Sequence, residues 1–217
     1  MDMDITFIAI VIGVILVSMM IHEVMHGLTA YMLGDDTAKL EGRLTLNPIK
    51  HIDPFLTIIL PVLLAISGGP IFGGAKPVPF NPARLKYDEW GVALVAIAGP
   101  LTNLIIAFVA YGLAVVFGLV SVGSFDTSSL VGSILAIVVQ VNLGFFIFNM
   151  IPMPPLDGSR VMYALAPEFV RRGMEMIERF GILVVFAIVL LASPILFSFM
   201  SSAIRFFLDV FSIIFGA

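Results

Sequence analysis

Long apolar runs separated by short polar stretches rich in glycine and proline set the plan of this chain. Ile5 to Leu33 is almost wholly apolar, and Trp90 to Val120, Leu130 to Ile151, Ile177 to Leu191 and Ile195 to Phe215 repeat the pattern. A helix that crosses a bilayer needs about 20 such residues, so each run predicts a spanning helix. The run ending at Leu191 is short and relies on Phe180-Gly181 and the preceding turn to extend it, and Ser193-Pro194 predicts the hinge before the last helix. Phe55 to Ile66 is different: it has roughly 12 residues, contains Pro61 and runs into Ser67-Gly68-Gly69-Pro70. That length suits a re-entrant piece better than a full crossing. The expected fold is an all-α polytopic membrane protein in a single domain, residues 1–217. It has five spanning helices and one re-entrant segment, or six helices if Phe55 to Ile66 crosses. A core covers about residues 5–165, and a C-terminal helical hairpin covers about 172–216.

Composition sharpens the membrane reading. The chain is 60% hydrophobic and 12% charged, with a mean hydropathy of +1.12; a soluble domain carries roughly twice that charged fraction. The acidic start Met1-Asp2-Met3-Asp4 is unlike the basic start of a cleavable signal peptide. The absence of cysteine excludes disulfides and thiolate metal ligands, and a net charge of −4 spread through loops points to no nucleic-acid partner. Lys39, Arg43, Lys50, Lys76, Arg84 and Lys86 fall between the first two long runs, and Arg160, Arg171, Arg172 and Arg179 follow the third. With Phe55 to Ile66 re-entrant, all these loops share one side. The positive-inside rule makes that side cytoplasmic in a multi-pass cell-membrane protein, with the N-terminus outside and the C-terminus inside.

Gly42 to Asn81 is irregular, with short extended runs such as Gly42-Arg43-Leu44-Thr45-Leu46 and Lys76-Pro77-Val78-Pro79-Phe80. Irregular backbone at membrane depth survives only when packed in protein or facing water. The segment is therefore expected to form a small membrane-associated β-hairpin or sheet after the first helix. Such a sheet could offer an edge to an extended peptide; the alternative is a plain loop with an interfacial anchor.

The candidate chemistry lies in the first run. His22, Glu23 and His26 are its only ionisable side chains and spell His-Glu-x-x-His. Burying them in hydrocarbon costs several kcal/mol, a cost consistent with binding or catalysis. Positions i and i+4 on a helix share one face about 6 Å apart, so both imidazoles can reach one metal ion. Glu23 can take a proton from water on that ion. A catalytic zinc takes a third protein ligand. Asp157, just after Asn149 to Pro155 where a long apolar run breaks on three prolines, is favoured over His51. Capping the following helix is the structural alternative for Asp157. Asn149 can donate to a developing oxyanion or merely satisfy a helix end. Asn103, after Gly99-Pro100, can orient a ligand, hold substrate backbone or pack helices. Arg160 reads as structural.

Together His22-Glu23-Val24-Met25-His26, Gly99-Pro100-Leu101-Thr102-Asn103 and Asn149 through Gly158 resemble the site-2 protease family of intramembrane zinc metalloproteases, in order and spacing, over about residues 5–165. The resemblance implies one Zn2+ held by His22, His26 and Asp157, with Glu23 as general base and Asn149 as a stabiliser near the metal. It also implies a substrate path lined by the helix carrying Gly99, Pro100 and Asn103. Expected partners are the lipid bilayer, single-pass transmembrane protein substrates and a membrane adaptor or inhibitor, with the oligomeric state open. The chain looks like a minimal branch, without the PDZ or nucleotide-sensing domain of other members, and has Gly158-Ser159 where many relatives have two glycines. The competing readings are a membrane zinc transporter, which would need ligands on facing helices, and a pseudoprotease that binds membrane substrates without cutting them.

Overall fold

The computed structural model describes residues 5–59, 74–121 and 124–217. Helix α1 (Ile5–Met32) is one unbroken helix of 28 residues, about 42 Å long at 1.5 Å per residue. It stops where Gly34 takes φ +108, a value that favours glycine. A helical turn at Thr37–Leu40, a 3-10 turn at Pro48–His51 and a π-turn at Pro54–Ile59 follow, and residues 74–81 form no helix or strand. Then come α2 (Asp88–Val116), the strands β1 (Val120–Ser121) and β2 (Ser124–Phe125), and α3 (Leu130–Asn149). The chain ends with α4 (Asp157–Leu165), α5 (Glu168–Glu178), α6 (Ile182–Leu191) and α7 (Ser193–Phe215).

Helix α2 is the central element, packed against α1, α3, α4 and α7. Its pattern explains why. Ala96, Gly99, Asn103, Ala107, Ala110 and Ala114 are buried, whereas Leu94, Leu101, Ile105, Val109 and Val116 are exposed. Small residues on one face let neighbouring backbones approach, which is how helices associate where burial from water supplies no drive. At Gly112 a Cβ would lie 2.7 Å from the Phe215 ring, so α7 seats directly on bare backbone. Around this contact Tyr111, Phe108, Phe211 and Phe215 form an aromatic cluster.

Among the described residues, α1, α2, α3 and α7 are long and apolar enough to cross a membrane. The expected span from Ile177 to Leu191 is broken instead. Gly181 turns the chain with φ +51, leaving α6 only 10 residues, about 15 Å or half the hydrocarbon thickness. The Lys86 N–H donates to the Leu33 carbonyl at 2.9 Å, so α1 runs antiparallel to α2, while the Phe215 contact makes α7 parallel to it. The start of α1 and the end of α7 therefore lie at the end of the bundle where α2 meets α3.

The small sheet is, among the described residues, the antiparallel pair Val120↔Phe125 and Ser121↔Ser124, which lies between α2 and α3. Within the described part of Gly42 to Asn81 there is no strand. Pro48, Pro54, Pro77 and Pro79 remove ladder donors there, and the N–H groups of Lys76, Val78 and Asn81 bond to His51, Glu23 and Asp35. Most of the expected re-entrant segment Phe55 to Ile66 lies outside the described residues, from residue 60 onward.

Candidate metal centre

One turn apart on α1, the His22 and His26 rings meet edge to face with centroids 4.5 Å apart. Their Nε2 atoms are 2.9 Å apart. The Asp157 Oδ2 atom lies 3.2 Å from His22 Nε2 and 3.4 Å from His26 Nε2. Asp157 is the first residue of α4, aimed back at α1 by the turn that follows α3. Gly158 makes that turn possible: a Cβ there would sit 2.4 Å from the Met150 carbonyl oxygen. Both histidines are buried, whereas the Asp157 side chain is 23% exposed, so the cluster opens on the aspartate side.

The far nitrogens of the two rings define what the near ones present. His26 Nδ1 is 2.7 Å from the Val95 carbonyl oxygen, and His22 Nδ1 is 2.6 Å from Asn103 Oδ1. Both partners are acceptors, so each Nδ1 carries the proton and each Nε2 turns a lone pair inward. Two imidazole nitrogens and a carboxylate oxygen, mutually 2.9 to 3.4 Å apart, converge on one point and form a group that could hold a metal ion. Tetrahedral zinc with ligands at 2.0–2.1 Å separates them by about 3.3 Å and leaves a fourth position for water. The donor set thus fits one Zn2+.

Glu23 is flanked differently. The Val78 N–H donates to its Oε2 at 2.8 Å. Val78 sits between Pro77 and Pro79, which have no N–H, and the Lys76 N–H donates to the His51 carbonyl. Over residues 76–79 no N–H remains to pair with an extended peptide, and the Lys76 carbonyl already accepts from Arg43 Nη2 at 2.7 Å, which narrows the strand-edge expectation. His51 belongs to this neighbourhood and not to the metal cluster: it is buried, with Nε2 donating to the Thr45 carbonyl at 2.9 Å.

The residues expected along a substrate path stand behind the ligands. Gly99 carries the two imidazoles on bare backbone, since a Cβ would lie 2.5 Å from His26 Nε2 and 2.7 Å from His22 Cε1. Pro100 and Asn103 are fully buried beside it. Asn149 is half-buried and donates one amide hydrogen to the Phe145 carbonyl at 3.0 Å; no hydrogen bond joins it to the triad among the described residues. Arg160 forms an ion pair with Glu178 on α5. Four groups at the site escape the sequence reading: Val78, Val95, Ser18 and Asn142. Asn142, an amide in the middle of an apolar run, is the one that carried a signal, because such a group needs a partner.

The sequence matches the family described as "Peptidase family M50" over residues 9–130 and 115–192. It is 41% identical over 206 residues to the Bacillus subtilis protein named "Putative zinc metalloprotease YwhC", covering 93% of this chain and 90% of that protein. It is 33% identical over 199 residues to the Mycolicibacterium smegmatis protein named "Putative zinc metalloprotease Rip2", covering 89% of this chain and 71% of that protein. No solved structure matches the chain.

Proposed function

The chain belongs to peptidase family M50 and is a zinc metallopeptidase, and on that premise we propose that it hydrolyses peptide bonds of transmembrane segments from within the bilayer. The observation that carries this reading is the depth of the convergent triad. His26 lies about 10 Å from the end of α1 at Met32, inside a helix whose outer surface is apolar. An apolar groove of about 390 Å³ between α3, α7 and the turn at Met150, Ile151 and Pro152 adjoins the stretch that delivers Asp157. Substrates would be single-pass membrane proteins whose cleaved stretch unwinds, because helical amides are shielded by their own hydrogen bonds.

His22, His26 and Asp157 would hold a zinc ion, which when bound would supply Lewis acidity toward a peptide carbonyl and lower the pKa of the attacking water. The exposed flank of Asp157 would be the side from which water and substrate approach. Glu23, with Oε2 held by Val78, keeps Oε1 for the proton of the attacking water and returns that proton to the leaving amine. The second amide hydrogen of Asn149 is the donor we assign to the oxyanion.

The ion pairs Arg84–Asp36 and Arg171–Glu89 gather basic loops at one end of the bundle, which we assign to the cytoplasm. The start of α1 and the end of α7 would then face the outside.

The test is purified protein in liposomes with a single-pass reporter, the product bond located by mass spectrometry. Wild type is expected to cut within the apolar stretch, and Glu23→Gln to bind zinc but lose cleavage. Cleavage only outside the apolar stretch, or an active Glu23→Gln, overturns the proposal. Zinc flux through the same liposomes would favour a transporter.

A further inference from the structure

Asn142 has no part in any of the chemistry above, yet it is fully buried in the middle of α3 with every amide atom engaged. Its Nδ2 lies 2.8 Å from the Val138 carbonyl oxygen and 2.9 Å from Ser18 Oγ, and its Oδ1 lies 2.8 Å from Asn103 Nδ2. Asn103 in turn reaches His22. Three helices are joined in this way, through Ser18 on α1, Asn103 on α2 and Asn142 on α3.

The chain of contacts has a direction. A main-chain carbonyl can only accept, so the Asn142 atom facing Val138 is the amide nitrogen. Its oxygen therefore faces Asn103. Two amide oxygens cannot share that contact, so Asn103 presents its nitrogen to Asn142 and its oxygen to His22. That oxygen can only accept, so the proton of His22 sits on Nδ1 and the lone pair on Nε2. One backbone carbonyl, Val138, thus decides which nitrogen of His22 is able to bind metal. His26 reaches the same result directly, through the Val95 carbonyl.

We propose that Asn142 is a positioning residue of the metal site, fixing the tautomer and ring orientation of His22 through Asn103. This rests on His22 as a zinc ligand and not on the intramembrane substrate. Without Asn142, nothing among the described residues stops the Asn103 amide from turning over. Its nitrogen would then donate to His22 Nδ1 and leave the proton on Nε2, where it blocks ligation. Partners that orient metal-bound histidines are typically worth 10- to 100-fold in metal affinity.

The test uses detergent-purified full-length protein and no substrate. Zinc affinity is measured by chelator competition, and the Co2+-loaded protein is followed by its visible absorption. Asn142→Leu is expected to lose at least about 10-fold in zinc affinity and to change the Co2+ spectrum. The double variant Asn142→Leu with Asn103→Asp is expected to regain most of the affinity, because a carboxylate accepts from His22 Nδ1 however it turns. A role in helix packing alone would not be rescued in this way. Wild-type affinity in Asn142→Leu overturns the proposal, and so does a loss that the second substitution leaves in place. If Asn142→Leu does not yield folded protein, Asn142→Ala adds no bulk and is read by the same measurements.

Discussion

Substituting Gly99 by alanine tests the geometry of the centre with a single methyl group. The new Cβ would stand 2.5 Å from His26 Nε2, 2.6 Å from His26 Cε1 and 2.7 Å from His22 Cε1. An ordinary contact begins near 3.4 Å, so something must move by about 0.9 Å. The rings have little freedom to do so. Their Nδ1 atoms are tied to Val95 and Asn103, which lie on the same helix as Gly99. Tilting the rings breaks those bonds, and moving α2 away carries the anchors with it. Catalytic groups have to be held within about 0.5 Å, and a displacement of about 1 Å costs on the order of 100-fold in rate. Gly99→Ala is therefore expected to cut kcat/KM about 100-fold and to weaken zinc binding at least about 10-fold, while the protein remains folded. Gly144→Ala on α3 is the control, because its Cβ would meet nothing within 4 Å. Reporter cleavage in liposomes, zinc affinity by chelator competition and thermal unfolding of the three proteins would decide it. A Gly99→Ala protein with wild-type rate and affinity would refute the claim that the imidazoles rest on bare backbone.

Two further predictions concern the segment packed on α1. Val78→Pro deletes a main-chain donor to Glu23 and is expected to lower kcat about 10-fold, whereas Val78→Ala keeps the donor and most of the rate; steady-state kinetics on both variants checks this. Asp35 is fully buried and accepts from the Thr37 N–H and hydroxyl and from the Asn81 N–H. Burial pushes its carboxyl up, but these bonds outweigh it and hold the group below its ordinary value. Its stabilisation is thus present above the unfolded-state pKa of about 3.9 and is lost as pH falls below it. Asp35→Asn should melt lower than wild type at pH 7, with the gap closing below about pH 4; a gap independent of pH would contradict the assignment.

The parts of this protein legible in the sequence are those governed by spacing along one helix or by local breakers. His22 and His26 declare themselves by a four-residue step within an apolar run, and Asp157 by its place after the prolines. What stayed hidden depends on pairings between distant segments. Val78 meets Glu23 across 55 residues, and Asn142 meets Ser18 across 124; no local pattern encodes either. Main-chain partners such as Val95 leave no trace at all, since any residue supplies a carbonyl. The run from Ile177 to Leu191 misled because hydropathy counts apolar residues and overlooks one glycine that turns the chain. The sheet was expected where extended residues are dense, but the prolines that suggested irregular backbone also stripped it of donors.

The three candidate ligands come from helices far apart in sequence, His22 and His26 on α1 and Asp157 on α4, so an ion bound there would also staple the first helix to α4. A ligand that binds only the folded state raises its stability by about 1.4 kcal/mol for each tenfold rise in free concentration above Kd. Zinc supply would then set the lifetime of this protein as well as its turnover: a starved cell would hold molecules free to part along the seam between those helices, and housekeeping proteases would clear them first.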